Sequence, residues 1–339
     1  MTMEEEKRGL KKMTIADVAE ALGVSKTTVS RVISGKGRIG NDTKERVLRY
    51  IEEHDYKPNV IAKGLAQNKT YNIGLMMPGS DNVADSSFFQ KCMIGISETA
   101  AAADYDMVVS MIRENDLSQL ERLVLNNKVD GIILSRTLVE DAPAAYLKQH
   151  HMPFVAIGTS PDPDMIQIDH DHREACRELT SVLLMKGLRR IALIGGSRGI
   201  VITNTRMQGY LDAFEAQELP VDSSLICLDA DNGPMLERMV SEFVKKGAEC
   251  ILCMDDAICC QVLNALKKSR LSVPEDLRVA SFYNSPLLDN NLPAITSLQF
   301  DAAALGAVTC RILLDHLEGK EVAKRTLLGY EVVLKESTK

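Results

Sequence analysis

The stretch TIADVAEALGVSKTTVSRVISGKG, residues 14–37, decides the architecture of the N-terminal part of the chain. Its apolar residues from Ile15 onward are spaced i, i+3, i+4, i+7, which predicts an amphipathic helix. Thr14 can cap that helix, Gly23 can end it, and Ser25 can cap a second helix. Two short helices joined by a tight turn form a helix-turn-helix, which places its second helix in the DNA major groove.

The second predicted helix has a polar and basic outer face. Short polar side chains there can reach base edges, and an arginine can bind guanine through two hydrogen bonds. The face comprises Lys26, Thr27, Ser30, Arg31 and Ser34. A third helix is predicted to start with Asn41 or Asp42 as its cap. The alternative interpretation is a plain three-helix cap with a solvated face.

Charge is distributed unevenly along the chain. Residues 7–70 carry 14 Lys/Arg and 7 Asp/Glu, whereas residues 71–339 carry 26 Lys/Arg and 37 Asp/Glu. A small basic segment on a larger acidic body favours a polyanion as the partner of the basic segment. Chance clustering of surface charge is the alternative.

The composition excludes several classes of protein. With 45% apolar and 26% charged residues, the 339-residue chain has the balance of a globular protein rather than of collagen or a low-complexity chain. No apolar run reaches the ~18 residues of a membrane span. The N-terminal MTMEEEKRGLKKM lacks the apolar segment of a signal peptide. We therefore predict a cytoplasmic protein with no membrane partner, whose eight cysteines are buried thiols.

From Asn72 onward, short apolar strands alternate with helical stretches, which is typical of a buried parallel sheet. The strands fall into two series that begin alike, so the sequence predicts two doubly wound lobes facing each other across a cleft. The predicted strands are 73–77, 107–111, 131–135 and 154–158 in the first series, and 191–196, 225–229, 250–254 and 279–283 in the second.

Residues 14–37 and 41–70 together resemble the N-terminal signature of the LacI/GalR family of lactose and galactose repressors. The second of these segments reads NDTKERVLRYIEEHDYKPNVIAKGLAQNKT. The resemblance continues more loosely along essentially the whole chain. It implies a helix-turn-helix domain at 1–57, a hinge helix and linker at 58–70, and an effector-binding and dimerisation core at 71–339. That core is expected to be an α/β fold like that of a periplasmic binding protein, with two doubly wound parallel-sheet lobes.

The resemblance also implies where each lobe lies in the sequence. In such cores the chain crosses between the lobes three times, here near 168–171, 296–300 and 325–328. The first lobe is then expected at about 71–170 and 300–326, and the second at about 171–297 and 327–335.

For DNA binding, the resemblance implies that Lys26, Thr27 and Arg31 read bases. Side chains matching Thr28, Ser30 and Tyr56 hold phosphates or position the helix. Leu65 is expected to wedge into the minor groove and bend the duplex, with plain packing as the alternative. The full predicted set is Thr14, Lys26, Thr27, Thr28, Ser30, Arg31, Ser34, Tyr56, Asn59, Ala62 and Leu65.

For the effector, the family motif R-x-x-G-Y matches at Arg206, Gly209 and Tyr210, and its arginine contacts the ligand. Arginine offers a donor fork to hydroxyls or carboxylates. The loop GSDNVADSSFF, residues 79–89, is longer than is usual in the family and resembles members that control maltose and α-glucoside use. The predicted effector set is Asp81, Phe88, Asp171, Arg206, Asp256 and Asn284, with Gln299 in a loop facing the same cleft.

Other clusters carry weaker signals. Residues 169–172 read Asp-His-Asp-His, and we expect solvated loop histidines there rather than a metal site. Cys250 and Cys253 point to opposite faces of one strand, which argues against zinc. The loop IGGSRG, residues 194–199, lacks the lysine and spacing of a nucleotide-binding loop. No metal and no cofactor are predicted.

The sequence therefore predicts a homodimeric, non-enzymatic transcription regulator that binds palindromic operator DNA. It is expected to repress carbohydrate-utilisation genes and to respond to a small effector, a sugar or sugar derivative. A periplasmic-type sugar-binding protein without DNA function is the main alternative, and a Rossmann-like enzyme is a second one.

Overall fold

The computed structural model describes residues 13–34, 37–56, 64, 67–79, 87–113, 116–230 and 233–339. The chain divides into two compact units, Met1–Thr70 and Tyr71–Lys339. Four predicted site residues lie outside the described residues, namely Asn59, Ala62, Leu65 and Asp81, as does the side chain of Ser34.

The first unit contains three helices, α1 (Ile15–Leu22), α2 (Lys26–Ser34) and α3 (Asn41–Glu53). The predicted cap at Thr14 is confirmed, because its hydroxyl accepts from the Asp17 amide and the Asp17 carboxylate accepts from the Thr14 amide at 2.7 Å. Gly23 ends α1 in the left-handed conformation, with φ of 65°. The Ser25 hydroxyl accepts from the Thr28 amide at 3.0 Å and caps α2.

One predicted cap is wrong. Helix α3 is preceded by Gly40, which has an extended backbone and makes no side-chain cap hydrogen bond. Asn41 and Asp42 therefore lie inside the first turn, where an acidic side chain is favoured by the partial positive charge of the helix N-terminus.

The second unit contains two six-stranded sheets, one for each lobe, which confirms the predicted fold class. The first sheet has the order β11-β5-β4-β3-β1-β2 and the second has β12-β10-β9-β8-β6-β7. Neighbouring strands are parallel except β10 and β12. The strands are β1 (Asn72–Pro78), β2 (Asp106–Ile112), β3 (Gly131–Leu134), β4 (Phe154–Ile157), β5 (Gln167–His170), β6 (Ile191–Ile194), β7 (Ile226–Cys227), β8 (Cys250–Cys253), β9 (Arg278–Ser281), β10 (Thr296–Gln299), β11 (Arg325–Leu328) and β12 (Glu331–Val333).

Helices cover both faces of each sheet, as the apolar strands require. They are α4 (Ser87–Ala101), α5 (Ser118–Leu125), α6 (Ala142–Gln149), α7 (His172–Met185), α8 (Val201–Ala216), α9 (Gly233–Lys245), α10 (Asp256–Lys268), α11 (Pro286–Asp289) and α12 (Ala302–Leu317). None of the helices in the described part of the chain is long and apolar enough to cross a membrane.

The chain passes between the sheets at three short segments. The first joins β5 to α7 at Asp171, and the second joins β10 to α12 at residues 300–301. The third joins β11 of the first sheet to β12 of the second at residues 329–330. Residues 327–334 therefore contribute to two strands, one in each lobe.

The cysteines are free thiols, as predicted, and seven of the eight are buried. Cys250 packs in one core of the second lobe and Cys253 in the other, on opposite faces of β8. Burial in these apolar cores raises the pKa of both thiols, which keeps them protonated at neutral pH.

Candidate DNA-binding and effector sites

Helix α2 separates its side chains into a buried face and an exposed face. Val29 and Val32 are at most 5% exposed and pack in the core of the first unit. The exposed side chains belong to Lys26, Thr27, Ser30 and Arg31. The structure thus brings together the side chains predicted to read bases, on the surface that a major groove would meet.

Two predicted DNA-binding residues have structural roles of their own. The Thr28 hydroxyl lies 2.9 Å from that of Ser25, so it belongs to the cap of α2. Tyr56 is only 6% exposed and packs in the core of the first unit. Its burial, together with the nearby Asp17 carboxylate, raises its pKa. A phosphate contact by Tyr56 stays a prediction that concerns its hydroxyl alone.

Sequence reasoning missed the contact that holds α3 to the turn of the helix-turn-helix. The Arg46 guanidinium donates to the Leu22 carbonyl at 3.1 Å, at the C-terminal end of α1. A cation at this position satisfies a carbonyl that has no partner within the helix. A basic residue on α3 was the only signal available from the sequence.

The R-x-x-G-Y motif lies on α8, and each of its residues does something different. Arg206 is 8% exposed and donates through Nη1 to the Met254 carbonyl at the end of β8. A Cβ on Gly209 would lie 2.3 Å from the Arg173 carbonyl oxygen, so glycine allows α8 to approach α7 closely. The buried Tyr210 hydroxyl donates to the Ile191 carbonyl at 2.8 Å. Of the three, only Arg206 carries a charge, and it is buried with its guanidinium against the end of β8.

Aromatic side chains from both lobes meet near Arg206. The ring of Phe88, at the start of α4 in the first lobe, lies edge-on to Tyr283 of the second lobe, with centroids 5.9 Å apart. Tyr283 stacks on Phe300 at 6.3 Å, and Phe300 contacts His172 at 4.4 Å. We call these four residues and Arg206 the central cluster. It supplies ring faces and one guanidinium, a combination suited to a sugar.

The adjacent acids at the end of β8 are not equivalent. Asp255 caps α10, and its carboxylate accepts from the Ile258 amide at 2.8 Å. Burial raises the pKa of Asp255, although Arg206 and the helix amides oppose the shift. Asp256 is the first residue of α10, near enough to Tyr283 to raise the pKa of its phenol. Asp255 is therefore the helix cap, and a ligand contact by Asp256 stays a prediction.

Two other predicted effector residues lie elsewhere. The Asn284 amide donates to the Asp289 carboxylate at 3.1 Å, and Lys335 forms an ion pair with the same carboxylate. Asp171 caps α7, and its carboxylate accepts from the Glu174 amide at 3.2 Å. The structure therefore does not bring Asn284 and Asp171 into the central cluster.

The histidines at the first crossing are buried, so their interpretation as solvated loop side chains is wrong. His170 is 1% exposed, and its Nδ1 lies 2.8 Å from the Gly329 carbonyl oxygen at the third crossing. His172 is 3% exposed, and its Nε2 lies 3.3 Å from the Asp169 carboxylate. Burial lowers the pKa of both imidazoles. The described residues contain no group of three or more side chains placed to hold a metal.

Asp169 is the acid that sequence reasoning missed at this crossing. Its side chain is buried and accepts from the Thr159 amide at 2.9 Å and from the His170 amide at 2.8 Å. These contacts and His172 lower the pKa of Asp169 although burial opposes the shift. Alternation of Asp and His along a strand could not show which of the two acids turns inward.

The lobes also touch through their backbones, beside the central cluster. The Val139 amide after β3 donates to the Gly199 carbonyl at 2.9 Å, and the Val201 amide donates to the Thr137 carbonyl at 3.2 Å. We call this pairing of the two loops the interlobe bridge. These backbone hydrogen bonds hold the two loops against each other at this edge of the lobes.

A cavity of about 750 Å³ lies between the lobes, bounded by the interlobe bridge and the first crossing. We call it the lateral cavity. Its lining comes from both lobes and includes Asp171; of the central cluster, it includes His172 alone. Arg206 is not among the residues that line it.

Comparison with known proteins gives a consistent result. The family described as "Bacterial regulatory proteins, lacI family" matches residues 14–59, and the "Periplasmic binding protein-like domain" matches residues 180–338. The HTH-type transcriptional regulator MalR of Streptococcus pneumoniae is 32% identical over 336 residues, covering 95% of this chain and 99% of the relative.

Solved structures agree with the sequence comparison. The transcriptional regulator CelR in complex with cellobiose matches with a TM-score of 0.73 and 26% identity, over 96% of this chain and 99% of that one. The lac repressor dimer bound to operator and the anti-inducer ONPF has a TM-score of 0.79 and 23% identity, over 97% and 99%. The second match shows similarity of fold.

Proposed function

Because the chain belongs to the lacI family of bacterial regulatory proteins, we propose that it is a sequence-specific repressor of carbohydrate-utilisation genes, controlled by a sugar bound between its two lobes. The observation that carries this proposal is the pairing of two sites in one chain. One is the exposed polar and basic face of α2, and the other is the central cluster in the core.

Recognition of DNA is assigned to α2. Lys26, Thr27 and Arg31 read base edges, and Ser30 contacts the backbone. Their exposure on one face, opposite the buried Val29, supports this assignment. Two copies of the chain bind one palindromic operator, because two-fold symmetry of the DNA calls for two-fold symmetry of the protein. The hinge at 58–70, with Leu65 as its wedge, is part of the same proposal.

The effector is proposed to be a glucose-containing di- or oligosaccharide. The MalR relative and the complex of CelR with cellobiose point to this class. In this chain, Arg206 supplies hydrogen-bond donors, Asp256 supplies acceptors, and Phe88 and Tyr283 supply ring faces. A sugar presents hydroxyls at its edge and C–H groups on its faces, so it uses all three.

Control of DNA binding follows from the lobe geometry. The three crossings are short, so a change at the central cluster moves one lobe relative to the other. The effector selects one lobe angle, and the angle alters how two hinge segments pair on the operator. By linkage, operator DNA changes the affinity for the effector by the same factor.

The cellular location of the protein and its lack of enzymatic activity are part of the same proposal. We propose a cytoplasmic protein, because the operator DNA of a bacterium lies there. We also propose that it catalyses no reaction, since the MalR relative is a transcriptional regulator.

The test has two parts. A thermal-shift screen of the full chain against maltose, cellobiose, glucose and other sugars identifies the effector, because a ligand at 100 times its Kd stabilises by about 2.7 kcal/mol. Operator binding with and without that sugar is then measured for Arg206→Ala and Arg206→Lys. We expect both variants to bind operator in the absence of sugar and to lose the response to it.

Arg198→Ala is the matched control, because Arg198 is an exposed arginine of the same lobe that pairs with Asp229. A normal sugar response in both Arg206 variants would remove Arg206 from the effector site. Failure of the intact chain to retard any palindromic DNA would contradict the repressor function itself.

A further inference from the structure

The three crossings between the lobes meet at the side chain of His170. This residue ends β5, directly before the first crossing, and its Nδ1 lies 2.8 Å from the Gly329 carbonyl oxygen at the third crossing. Phe300 of the second crossing packs against the imidazole, with ring centroids 4.9 Å apart. One buried side chain therefore touches every segment through which the chain passes from lobe to lobe.

The neutral form of His170 fastens the first crossing to the third. A carbonyl oxygen can only accept, so Nδ1 carries the proton and donates it to Gly329. A backbone hydrogen bond supports this contact, because the Asp171 amide donates to the Leu328 carbonyl at 3.2 Å. The Tyr330 hydroxyl in turn donates to the Glu178 carboxylate of α7 at 2.7 Å, which ties the third crossing to the second lobe.

The other nitrogen of the ring is not suited to a proton in this arrangement. Nε2 is buried and makes no hydrogen bond among the described residues. Asp169 and Asp301 favour the charged ring, yet burial outweighs them and lowers the pKa of His170. The arrangement described here therefore fits the neutral imidazole and disfavours the imidazolium.

The groups around His170 do not reverse this preference. The His172 ring lies 6.0 Å away between centroids, and burial lowers its pKa too, while the Arg206 cation acts on His172. The neighbour of His170 on β11 is the apolar Leu328. The titratable groups that face it are Asp169 on β5, His172 on α7, Asp301 before α12 and Tyr330 at the third crossing.

Movement of the lobes would change the access of water to this ring. His170 lines the lateral cavity, whose walls come from both lobes. Separating the lobes widens that cavity and breaks the interlobe bridge, so the ring gains water as the bridge is lost. An imidazole in water has a pKa of about 6.5. The open arrangement then binds the proton more tightly and is favoured as pH falls below about 6.5.

We propose that His170 is the positioning residue of the three crossings and that its protonation makes the lobe angle sensitive to pH. The neutral ring favours the arrangement with the interlobe bridge, and the protonated ring releases it. This proposal rests on the proposed control of operator binding by the lobe angle, since it makes the sugar response depend on pH. The movement itself requires neither sugar nor DNA, so it is measured without them.

The experiment is hydrogen exchange of the full chain followed by mass spectrometry between about pH 7.5 and pH 5.5. Each rate is divided by the rate of an unstructured peptide at the same pH, which gives a protection factor. The Val139 and Val201 amides report on the interlobe bridge, and the amides of β8 report on unfolding. We expect the protection of the bridge amides to fall by up to about tenfold per pH unit below about 6.5, because one proton is linked to opening. It should stay below that of β8 at every pH.

Two substitutions separate the hydrogen bond of His170 from its titration. His170→Asn keeps an amide donor for the Gly329 carbonyl but cannot be protonated, so we expect the bridge protection of the unsubstituted chain at pH 7.5 and no fall at pH 5.5. His170→Phe keeps a ring and loses the donor, so protection should be low at both pH values. His150→Asn is the matched control, because the exposed His150 also places Nδ1 against a carbonyl, that of Tyr146 at 2.9 Å. This control should keep the full pH response.

Three results would overturn the proposal. The first is bridge protection that does not change with pH in the unsubstituted chain. The second is a pH response that persists in His170→Asn and disappears in His172→Gln, which would assign the response to His172. The third is equal protection of the bridge and of β8, which would mean that the bridge opens only when the core unfolds. Absence of any sugar response would contradict the proposed function but would leave these exchange measurements unchanged.

Discussion

Replacing Gly209 by alanine tests whether the close approach of α7 and α8 positions Arg206. The added Cβ would lie 2.3 Å from the Arg173 carbonyl oxygen and 2.9 Å from the Cys176 Cβ. Carbon and carbonyl oxygen rest at about 3.3 Å or more, so α8 must withdraw by about 1 Å. The near atom belongs to the backbone of α7 and cannot rotate away, so the helices themselves must separate.

Two opposing effects set the size of the loss. Alanine in a helix interior gains up to ~1 kcal/mol over glycine. Overpacking a tight contact costs about 1–3 kcal/mol, and the rigid neighbour favours the upper part of that range. We expect a net loss of about 2 kcal/mol in the free energy of unfolding of the core. For a domain of this size, that lowers Tm by about 4–8 °C.

Thermal unfolding followed by circular dichroism at 222 nm measures this loss, since the chain contains no Trp to report by fluorescence. Gly233→Ala is the matched control, because Gly233 lies in helix α9 of the same lobe and its added Cβ would meet nothing closer than 3.9 Å. Because Arg206 lies one turn before Gly209, Gly209→Ala should also weaken sugar binding. Equal Tm values for the two variants would refute the argument that helix proximity requires glycine at 209.

Three further predictions concern DNA and pH. Arg31→Ala should weaken operator binding by ~1–3 kcal/mol and leave binding to random DNA nearly intact. The control Arg49→Ala removes an exposed arginine from α3 and should change binding to operator and to random DNA equally. Equal losses on both DNAs in Arg31→Ala would exclude base reading. Leu65→Ala should reduce operator bending and affinity in a gel-based bending assay, and an unchanged bend angle would favour plain packing. The core should lose stability as pH falls from 7 to 5, because burial lowers the pKa of His170 and His172 below about 6.5, so that the unfolded chain binds more protons there. Urea unfolding of His172→Gln should show a shallower pH dependence, and an identical slope would contradict this assignment.

Much of the architecture could be predicted from periodicity and capping. The apolar spacing from Ile15, with Thr14 and Gly23 at the ends of the helix, depends on local chemistry, and the structure confirms it. The cap of α3 was predicted wrongly because Asn41 and Asp42 are good caps by composition, and only the backbone conformation of Gly40 decides where the helix starts. Short-range rules therefore locate elements well and their first residues less well.

The residues of the candidate effector site were also predictable only in part. Arg206 and Asp256 were predicted from the resemblance and from their places after strands, and the structure sets each near an aromatic side chain of the central cluster. Asp171 and Asn284 were predicted from the same reasoning, yet one caps α7 and the other contacts Asp289. Position after a strand selects the correct edge of a sheet but does not fix the direction of a side chain.

The sequence by itself determined the helix-turn-helix, the alternation of strands and helices, and the basic and acidic parts of the chain. Each depends on residues close together along the chain, where spacing and charge are visible. Only the tertiary structure decided that His170 and His172 are buried, that Asp169 turns inward rather than Asp171, and that one face of α8 lines a cavity between the lobes. These features arise where the three crossings bring distant segments together, and contacts between such segments depend on the packing of both lobes at once.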